Sequence, residues 1–118
     1  MKVALVCIAK NEDHYIEEWI KYHFKLGFDE IFIYENNWRF NKDIDNVIKI
    51  PYDGSVKQVS AYNDFIIKNN QNYDWACFLD IDEFIVLKKH PNIKDFINDY
   101  QKAPAIGINW VLFGDSGL

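Results

Sequence analysis

The feature that most constrains the fold is a short, uninterrupted apolar run at residues 3–8, near the start of the chain. A strand with one face in water would show a polar residue at every second position, and this run shows none. A strand that is buried on both faces is typical of a parallel sheet with helices on either side. The opening residues therefore favour an α/β fold.

Helical and strand-like patterns then alternate along the chain. A helix is predicted at about residues 13–26, because Asn11 or Asp13 can cap its start and Gly27 follows its end. Its buried stripe is predicted to consist of Ile16, Trp19, Ile20, His23 and Phe24.

Further strands are predicted at residues 30–35, 46–50, 76–81, 84–87 and 105–113. Further helices are predicted at residues 56–69, with Tyr62, Phe65 and Ile66 on the buried face, and at residues 92–100. Such alternation predicts βαβ units and a mostly parallel sheet with flanking helices.

Composition limits the class of protein. A chain of 118 residues corresponds to one domain, and its 49% content of hydrophobic residues excludes a disordered chain. A formal net charge of −5 argues against nucleic acid as a partner. Cys7 and Cys77 lie in apolar runs and are interpreted as reduced core thiols. No apolar stretch reaches the roughly 18 residues of a membrane span, so we expect a cytoplasmic protein, or one peripheral to the inner membrane face.

Three predicted strands end in polar residues. Residues 9–12 follow the first strand, residues 35–37 end the second, and residues 80–83 end the fourth. In an open parallel sheet, ligands bind beyond the carboxyl ends of the strands. All three polar ends would lie on the same edge of the sheet, which is where we expect the functional site.

The acidic group at the fourth strand end is the most informative part of the sequence. Asp80, Asp82 and Glu83 interrupt what would otherwise be a long apolar strand. In an extended chain Asp80 and Asp82 point to one side while Ile81 faces the core. Like charges this close destabilise each other unless a cation binds them, and Mg²⁺ or Mn²⁺ prefers one or two carboxylates together with phosphate and water. We therefore predict a metal site, the alternative being a solvated strand end whose acids bind backbone amides.

Five motifs, in order, resemble those of the GT-A glycosyltransferases, in particular a family 92 and family 2-like group of bacterial and animal enzymes. They are residues 10–12 with 18–19, 22–23 and 27; residues 30–37; residue 58 with 61–64; residues 78–85; and residue 110 with 113–117. The resemblance covers nearly the whole chain. It implies a Rossmann-like GT-A domain, over residues 1–118, that forms the nucleotide-sugar-binding half of such an enzyme.

The resemblance also implies site residues. Those that would border the nucleotide base and ribose are Ala9, Lys10, Asn11 and Glu12, and those that would hold the base are Glu35 and Asn36. Asp80 and Asp82 would bind Mn²⁺ or Mg²⁺ on the pyrophosphate of a nucleoside-diphosphate sugar. Those that would lie beside the donor are Gln58, Asn63 and Ile81, while Glu83 would orient a ligand or the acceptor and Trp110 would form a pocket floor. Lys10 as a solvated lysine, Asn11 as a helix cap and Trp110 as a core residue are the structural alternatives.

The chain departs from the family pattern in three respects, one of which is Asp115 where a small hydroxyl residue is usual. Trp38, Arg39 and Phe40 follow Asn37 where the family has a small polar residue and an acid, which leaves the ribose contacts unassigned. GT-A enzymes are also usually longer, so we expect a truncated chain or a reduced family member that lacks the C-terminal acceptor part. A truncated sheet would leave an apolar edge, which predicts a homo-oligomer.

The implied activity is transfer of a sugar from a nucleoside diphosphate to a hydroxyl of a glycan, lipid-linked glycan or lipopolysaccharide acceptor. An inverting enzyme also needs a carboxylate that accepts the acceptor's proton. The sequence assigns no such base, with Asp115 as a candidate and a residue beyond Leu118 as the alternative. The rival hypotheses are a non-catalytic module that binds a nucleotide sugar or metal, and a structural domain with a flavodoxin-like sheet.

Overall fold

The computed structural model of the protein describes residues 1–10, 15–55 and 58–99. The elements in them are, in chain order, β1 (Val3–Ala9), α1 (Ile16–Leu26), β2 (Glu30–Glu35), β3 (Val47–Pro51), α2 (Gln58–Asn69), β4 (Trp75–Phe78) and α3 (Ile93–Asn98). The four strands are all parallel and lie in the order β3-β2-β1-β4. This arrangement confirms the predicted α/β class, with a parallel sheet of Rossmann-like character and flanking helices.

Strand β1 lies inside the sheet, between β2 and β4, which is why its sequence is apolar on both faces. Successive strand residues point to opposite faces. Leu5 and Cys7 pack in the same apolar cluster as residues of α1 and α3, whereas Ala4 and Val6 pack with residues of α2. The result is a three-layer arrangement in which one strand supplies core residues to both sides.

Helix α1 follows its prediction closely. Its buried residues are Ile16, Trp19, Ile20 and His23, while Phe24 is only partly buried. Tyr15 stands at the N-cap position without a side-chain capping bond, and the predicted caps at residues 11 and 13 lie outside the described residues. Gly27 ends the helix with φ at 115°, in the left-handed region where glycine has no steric penalty.

Two of the strand predictions are wrong. β4 ends at Phe78 rather than at residue 81, and residues 84–87 form no strand. The last backbone bond to β1 runs from the Leu79 amide to the Val6 carbonyl at 3.0 Å, after which β4 has no further pairing with that strand. An apolar segment forms a strand only where a neighbouring strand takes up its backbone hydrogen bonds.

Helix α2 buries a slightly different face from the one predicted. Phe65 is buried as expected and Tyr62 is partly buried, but Ile66 is 45% exposed and Ala61 occupies the buried position instead. The predicted strand at residues 105–113 lies outside the described residues. Cys7 and Cys77 are buried thiols, and burial raises the pKa of the Cys77 thiol, which keeps it protonated.

Candidate functional site

The three polar strand ends meet at one edge of the sheet, as predicted. Ala9 at the end of β1 is in register with Glu35 at the end of β2, and the Asn36 amide donates to the Ala9 carbonyl at 2.9 Å. β4 ends on the other side of β1, so that Asp80 follows at the same carboxyl edge. Strand order places the reversal of the chain path between β1 and β4, and ligands in such sheets bind at this point.

The acidic residues lie in a turn rather than in an extended strand. The Glu83 amide donates to the Asp80 carbonyl at 3.0 Å, and the Asp80 amide donates to Glu83 Oε1 at 2.9 Å. Asp80, Asp82 and Glu83 are exposed, whereas Ile81 is 3% exposed and packs in the apolar cluster with α1. We call residues 80–83 the acidic turn. Its geometry replaces the strand alternation expected at this point, although Ile81 faces the core as predicted.

Helix α2 contacts the acidic turn through Gln58. Its side-chain amide donates to Asp80 Oδ1 and also, at 2.9 Å, to the Tyr62 hydroxyl. The Tyr62 ring packs on Phe78 with 4.6 Å between centroids. Burial and the nearby Asp80 carboxylate raise the pKa of Tyr62, so its hydroxyl stays protonated. Gln58, expected near the donor, is thus brought against a predicted metal ligand.

Within the described residues, the carboxylates of the acidic turn have no cationic partner. In the described part of the chain, no lysine or arginine forms an ion pair with Asp80, Asp82 or Glu83. The Asp82 carboxylate also accepts no hydrogen bond from any described residue. Oxygen ligands with free lone pairs are suited to a hard cation such as Mg²⁺ or Mn²⁺.

The described residues do not form a complete protein cage for a metal. Among residues 1–10, 15–55 and 58–99, no group of three or more histidine, cysteine, aspartate or glutamate side chains is arranged to hold an ion. Two carboxylates therefore fit only the kind of site that phosphate oxygens and water complete, which is the usual situation for Mg²⁺.

The predicted base-binding residues on β2 have partners within the chain. Glu35 is 3% exposed and its Oε2 accepts from the Phe40 amide at 2.9 Å. Asn36 is 6% exposed and its amide nitrogen donates to the carbonyls of Tyr52 and Gly54, each at 3.0 Å. Both side chains thus hold the loop after β2 in place, and a role in holding a base stays a prediction.

The residues that depart from the family pattern help to join this loop to the end of β3. Arg39 donates two hydrogen bonds to the Asp53 carboxylate, and these bonds, with that from the Asn37 amide, hold the pKa of that carboxyl below its usual value. Asn37, whose φ is 52°, accepts from the Gly54 amide at 2.9 Å. This network was not predicted from the sequence, because its members are 14 to 17 positions apart and no local pattern links them.

The other predicted site residues are distributed as follows. Ala9 is fully buried, so only its backbone can border a ligand, and Lys10 is exposed directly after it. Asn63 is exposed on α2. The positions outside the described residues are Asn11, Glu12, Trp110 and Asp115.

Helix α1 contacts the last residue of the acidic turn and the residues after it, contacts that were not predicted from the sequence. Trp19 Nε1 donates to the Glu83 carbonyl at 2.8 Å, and the Tyr22 hydroxyl donates to the Ile85 carbonyl. The Ile85 amide in turn donates to His23 Nε2 at 3.3 Å. Trp19 and His23 are core residues, as predicted, but they also hold backbone groups more than 60 positions away. The only local signal is the helical spacing of three polar aromatic residues.

Comparisons with known proteins agree with the motifs. The family described as "Glycosyltransferase family 92" matches residues 52–114, a range that includes the acidic turn and more than half of the chain. Glycosyltransferase family 92 proteins of Ricinus communis, Oryza sativa subsp. japonica and Arabidopsis thaliana are 25%, 26% and 24% identical to it, over 99%, 90% and 92% of this chain. These relatives are plant proteins. No solved structure matches the chain.

The relatives are much longer than this chain. The alignments cover 24%, 20% and 22% of their respective lengths, so the chain spans about a quarter or less of each. None of the helices in the described residues has the length and apolar character needed to cross a membrane. With the family match over residues 52–114 and these relatives together, the chain belongs to glycosyltransferase family 92.

Proposed function

We propose that this chain is the donor-binding part of a metal-dependent glycosyltransferase that moves a sugar from a nucleoside diphosphate to an acceptor hydroxyl. One observation carries the proposal. The acidic turn lies within the matched family segment, at the carboxyl edge of the sheet, with its carboxylates exposed and without a cationic partner in the described chain. Exposed carboxylates at a ligand-binding edge support a site for a cation and a phosphorylated ligand.

Asp80 and Asp82 are the residues that would hold Mn²⁺ or Mg²⁺. The ion would neutralise the charge that develops on the departing diphosphate. Gln58 orients one oxygen of Asp80, and Ile81 anchors the turn in the core between the two aspartates. These contacts support a carboxylate pair whose position is set before any ligand arrives.

The nucleotide would lie along the neighbouring strand ends. Lys10 is exposed after β1 and can offer a positive charge, and the backbone of Ala9 is at the same edge. Glu35 and Asn36 shape the loop beside it. The acceptor is proposed to be a hydroxyl of a glycan, lipid-linked glycan or lipopolysaccharide. The candidate for the base that takes its proton is Asp115, which lies outside the described residues.

A thermal-shift panel tests the proposal. Uridine and guanosine diphosphate sugars should raise the melting temperature in the presence of Mn²⁺ and not in its absence, because a ligand that binds only the folded state stabilises it. Asp80→Asn and Asp82→Asn should lose this rise while retaining the melting temperature of the ligand-free protein. Binding of no nucleotide sugar with Mn²⁺ would overturn the proposal.

Turnover separates the two hypotheses that involve a donor. A transferase should also hydrolyse its bound donor slowly or transfer the sugar to an added acceptor, with release of nucleoside diphosphate. Donor binding without either reaction would support a non-catalytic module. Family membership favours the transferase.

A further inference from the structure

The backbone at the end of the acidic turn and just after it is held by helix α1 rather than by the sheet. Residues 83–85 form no strand, yet three of their backbone groups have side-chain partners on α1. Trp19 Nε1 donates to the Glu83 carbonyl, the Tyr22 hydroxyl donates to the Ile85 carbonyl, and the Ile85 amide donates to His23. These bonds take the place of the ladder bonds that a strand would have provided.

The three side chains form one unit on one face of α1. Residues three and four positions apart are neighbours on a helix, and Tyr22 and His23 follow Trp19 at these two spacings. The ring centroids of Trp19 and His23 are 4.6 Å apart, and those of Tyr22 and His23 are 5.0 Å apart. Phe84 packs on both Tyr22 and His23, at 5.2 and 5.7 Å. We call the three side chains the α1 clamp.

The hydrogen bonds assign the tautomer of His23. Its Nδ1 lies 2.8 Å from the Trp19 carbonyl, which can only accept, so Nδ1 carries the proton. Nε2 is then a free acceptor, as the bond from the Ile85 amide requires. The ring is fully buried and neutral, and each of its nitrogens has one partner.

Packing alone does not require these residue types. Leucine or phenylalanine at the same positions would bury comparable apolar surface, but would leave the carbonyls of Glu83 and Ile85 and the Ile85 amide without partners. Polar aromatic side chains at all three positions fix the path of the backbone from Glu83 onwards.

We propose that Trp19, Tyr22 and His23 are positioning residues that hold the acidic turn in its metal-binding conformation. The inference rests on the proposed function, since it concerns how the same carboxylates are presented. A turn without strand partners would otherwise have to be ordered when the ion and the diphosphate bind, and that ordering would weaken binding. Contacts behind metal ligands commonly set metal affinity in this way.

The test uses the 118-residue chain and a variant that removes one hydroxyl. Tyr22→Phe keeps the ring that packs on Phe84 and His23 but removes the donor to the Ile85 carbonyl. Tyr73→Phe is the matched control. It also removes one partly buried hydrogen bond, from the Tyr73 hydroxyl to Glu30, at the opposite edge of the sheet. The apparent dissociation constant for Mn²⁺ is measured by calorimetry at a saturating concentration of UDP or GDP, whichever the wild type binds more tightly. Melting temperature is measured without ligands.

Tyr22→Phe should raise the Mn²⁺ dissociation constant by about 3- to 10-fold, the effect of one lost hydrogen bond. Its ligand-free melting temperature should change no more than that of Tyr73→Phe, which should bind Mn²⁺ like the wild type. Trp19→Phe loses the donor to Glu83 together with part of a fully buried ring, so it should also weaken Mn²⁺ binding, at some cost in stability.

The outcomes distinguish the two proposals. If the wild type binds nucleotide with Mn²⁺ and both Tyr22→Phe and Trp19→Phe retain its Mn²⁺ affinity, the α1 clamp is purely structural and the inference is overturned. If the wild type shows no Mn²⁺-dependent nucleotide binding, the proposed function is overturned, and the positioning role with it.

Discussion

The side-chain amide of Gln58, in the first turn of α2, donates a hydrogen bond to Oδ1 of Asp80 in the acidic turn. Helix α2 packs on one face of the sheet, while the α1 clamp reaches residues 83–85 from the other. The acidic turn is therefore contacted from both helical layers. Neither contact arises from the strand that leads into the turn.

Removal of the Gln58 amide should weaken metal-dependent nucleotide binding. Gln58→Ala is expected to raise the Mn²⁺ dissociation constant by about 3- to 10-fold, because Asp80 loses the donor that orients it. The unfolding free energy should change by less than about 0.5 kcal/mol, since Gln58 is exposed. Calorimetry and urea unfolding measure the two quantities. Gln71→Ala, an exposed glutamine just beyond α2, is the control, and equal Mn²⁺ affinity of the two variants would contradict the role of Gln58.

Neutralising Asp82 should separate stability from metal binding. Asp82→Asn is expected to leave the metal-free melting temperature unchanged or slightly higher, because Asp82 has no described partner and lies close in sequence to Asp80 and Glu83. Mn²⁺-dependent nucleotide affinity should fall by about 100-fold or more. This loss is larger than the loss of metal affinity typical for a residue that only contacts a metal ligand. Asp45→Asn, exposed before β3 at the opposite edge, should change neither property. A lower metal-free melting temperature for Asp82→Asn alone would point to a structural role.

Protonation of His23 should destabilise the fold in mild acid. Burial lowers the pKa of His23 to about 4, from the value of 6.5 that applies to the unfolded chain. The unfolded state then binds more protons than the folded state between these values, so stability is complete above about pH 6.5 and declines as the pH falls towards 4. The shift corresponds to about 3 kcal/mol in total.

Urea unfolding at several pH values between 4 and 7 measures this decline. His23→Gln, which cannot be protonated in this range, should show a smaller decline than the wild type, even if it is less stable at pH 7. His90→Gln removes the other histidine in the described residues and should retain the decline. An unchanged pH dependence in His23→Gln would exclude His23 as its origin.

A side chain at position 27 should destabilise the end of α1. Gly27 has φ at 115°, and an added Cβ would lie 3.4 Å from both Asn92 Cβ and Ile93 Cγ2. Gly27→Ala should therefore lower the unfolding free energy by about 1–2 kcal/mol. Lys25→Ala, in the last turn of the same helix, should change it by less than about 0.5 kcal/mol. Gly54→Ala, with φ at 102° but open space around the added Cβ, measures the backbone contribution alone.

Local sequence patterns predicted most elements because their causes are local. The apolar run at residues 3–8 became an interior strand, and Gly27 ended α1. The segment at residues 30–35 formed a strand with the predicted bounds. Parallel pairing then brought the polar strand ends to one edge, which follows from strand direction alone. Periodicity and capping act over a few residues, so the sequence expresses them directly.

The patterns failed where a distant partner decides the outcome. Residues 84–87 are as apolar as a strand, but the backbone at Ile85 is bonded to side chains of α1. β4 ends at Phe78, where its pairing with β1 ends. The sequence of residues 79–81 gives no local signal for the end of this strand. On α2, Ile66 is 45% exposed and Ala61 is buried, because Ala61 and Phe65, four positions apart, are the residues that pack against the sheet.

By itself, then, the amino-acid order determined the layered class of the fold, the edge at which the polar groups collect and the acidic residues among them. Only the tertiary structure decided the conformation of those acids, a turn held by Gln58 on one side and by Trp19, Tyr22 and His23 on the other. The physical reason is that hydrophobic periodicity is a property of neighbouring residues. A hydrogen bond between residues 22 or more than 60 positions apart exists only once packing has brought them together.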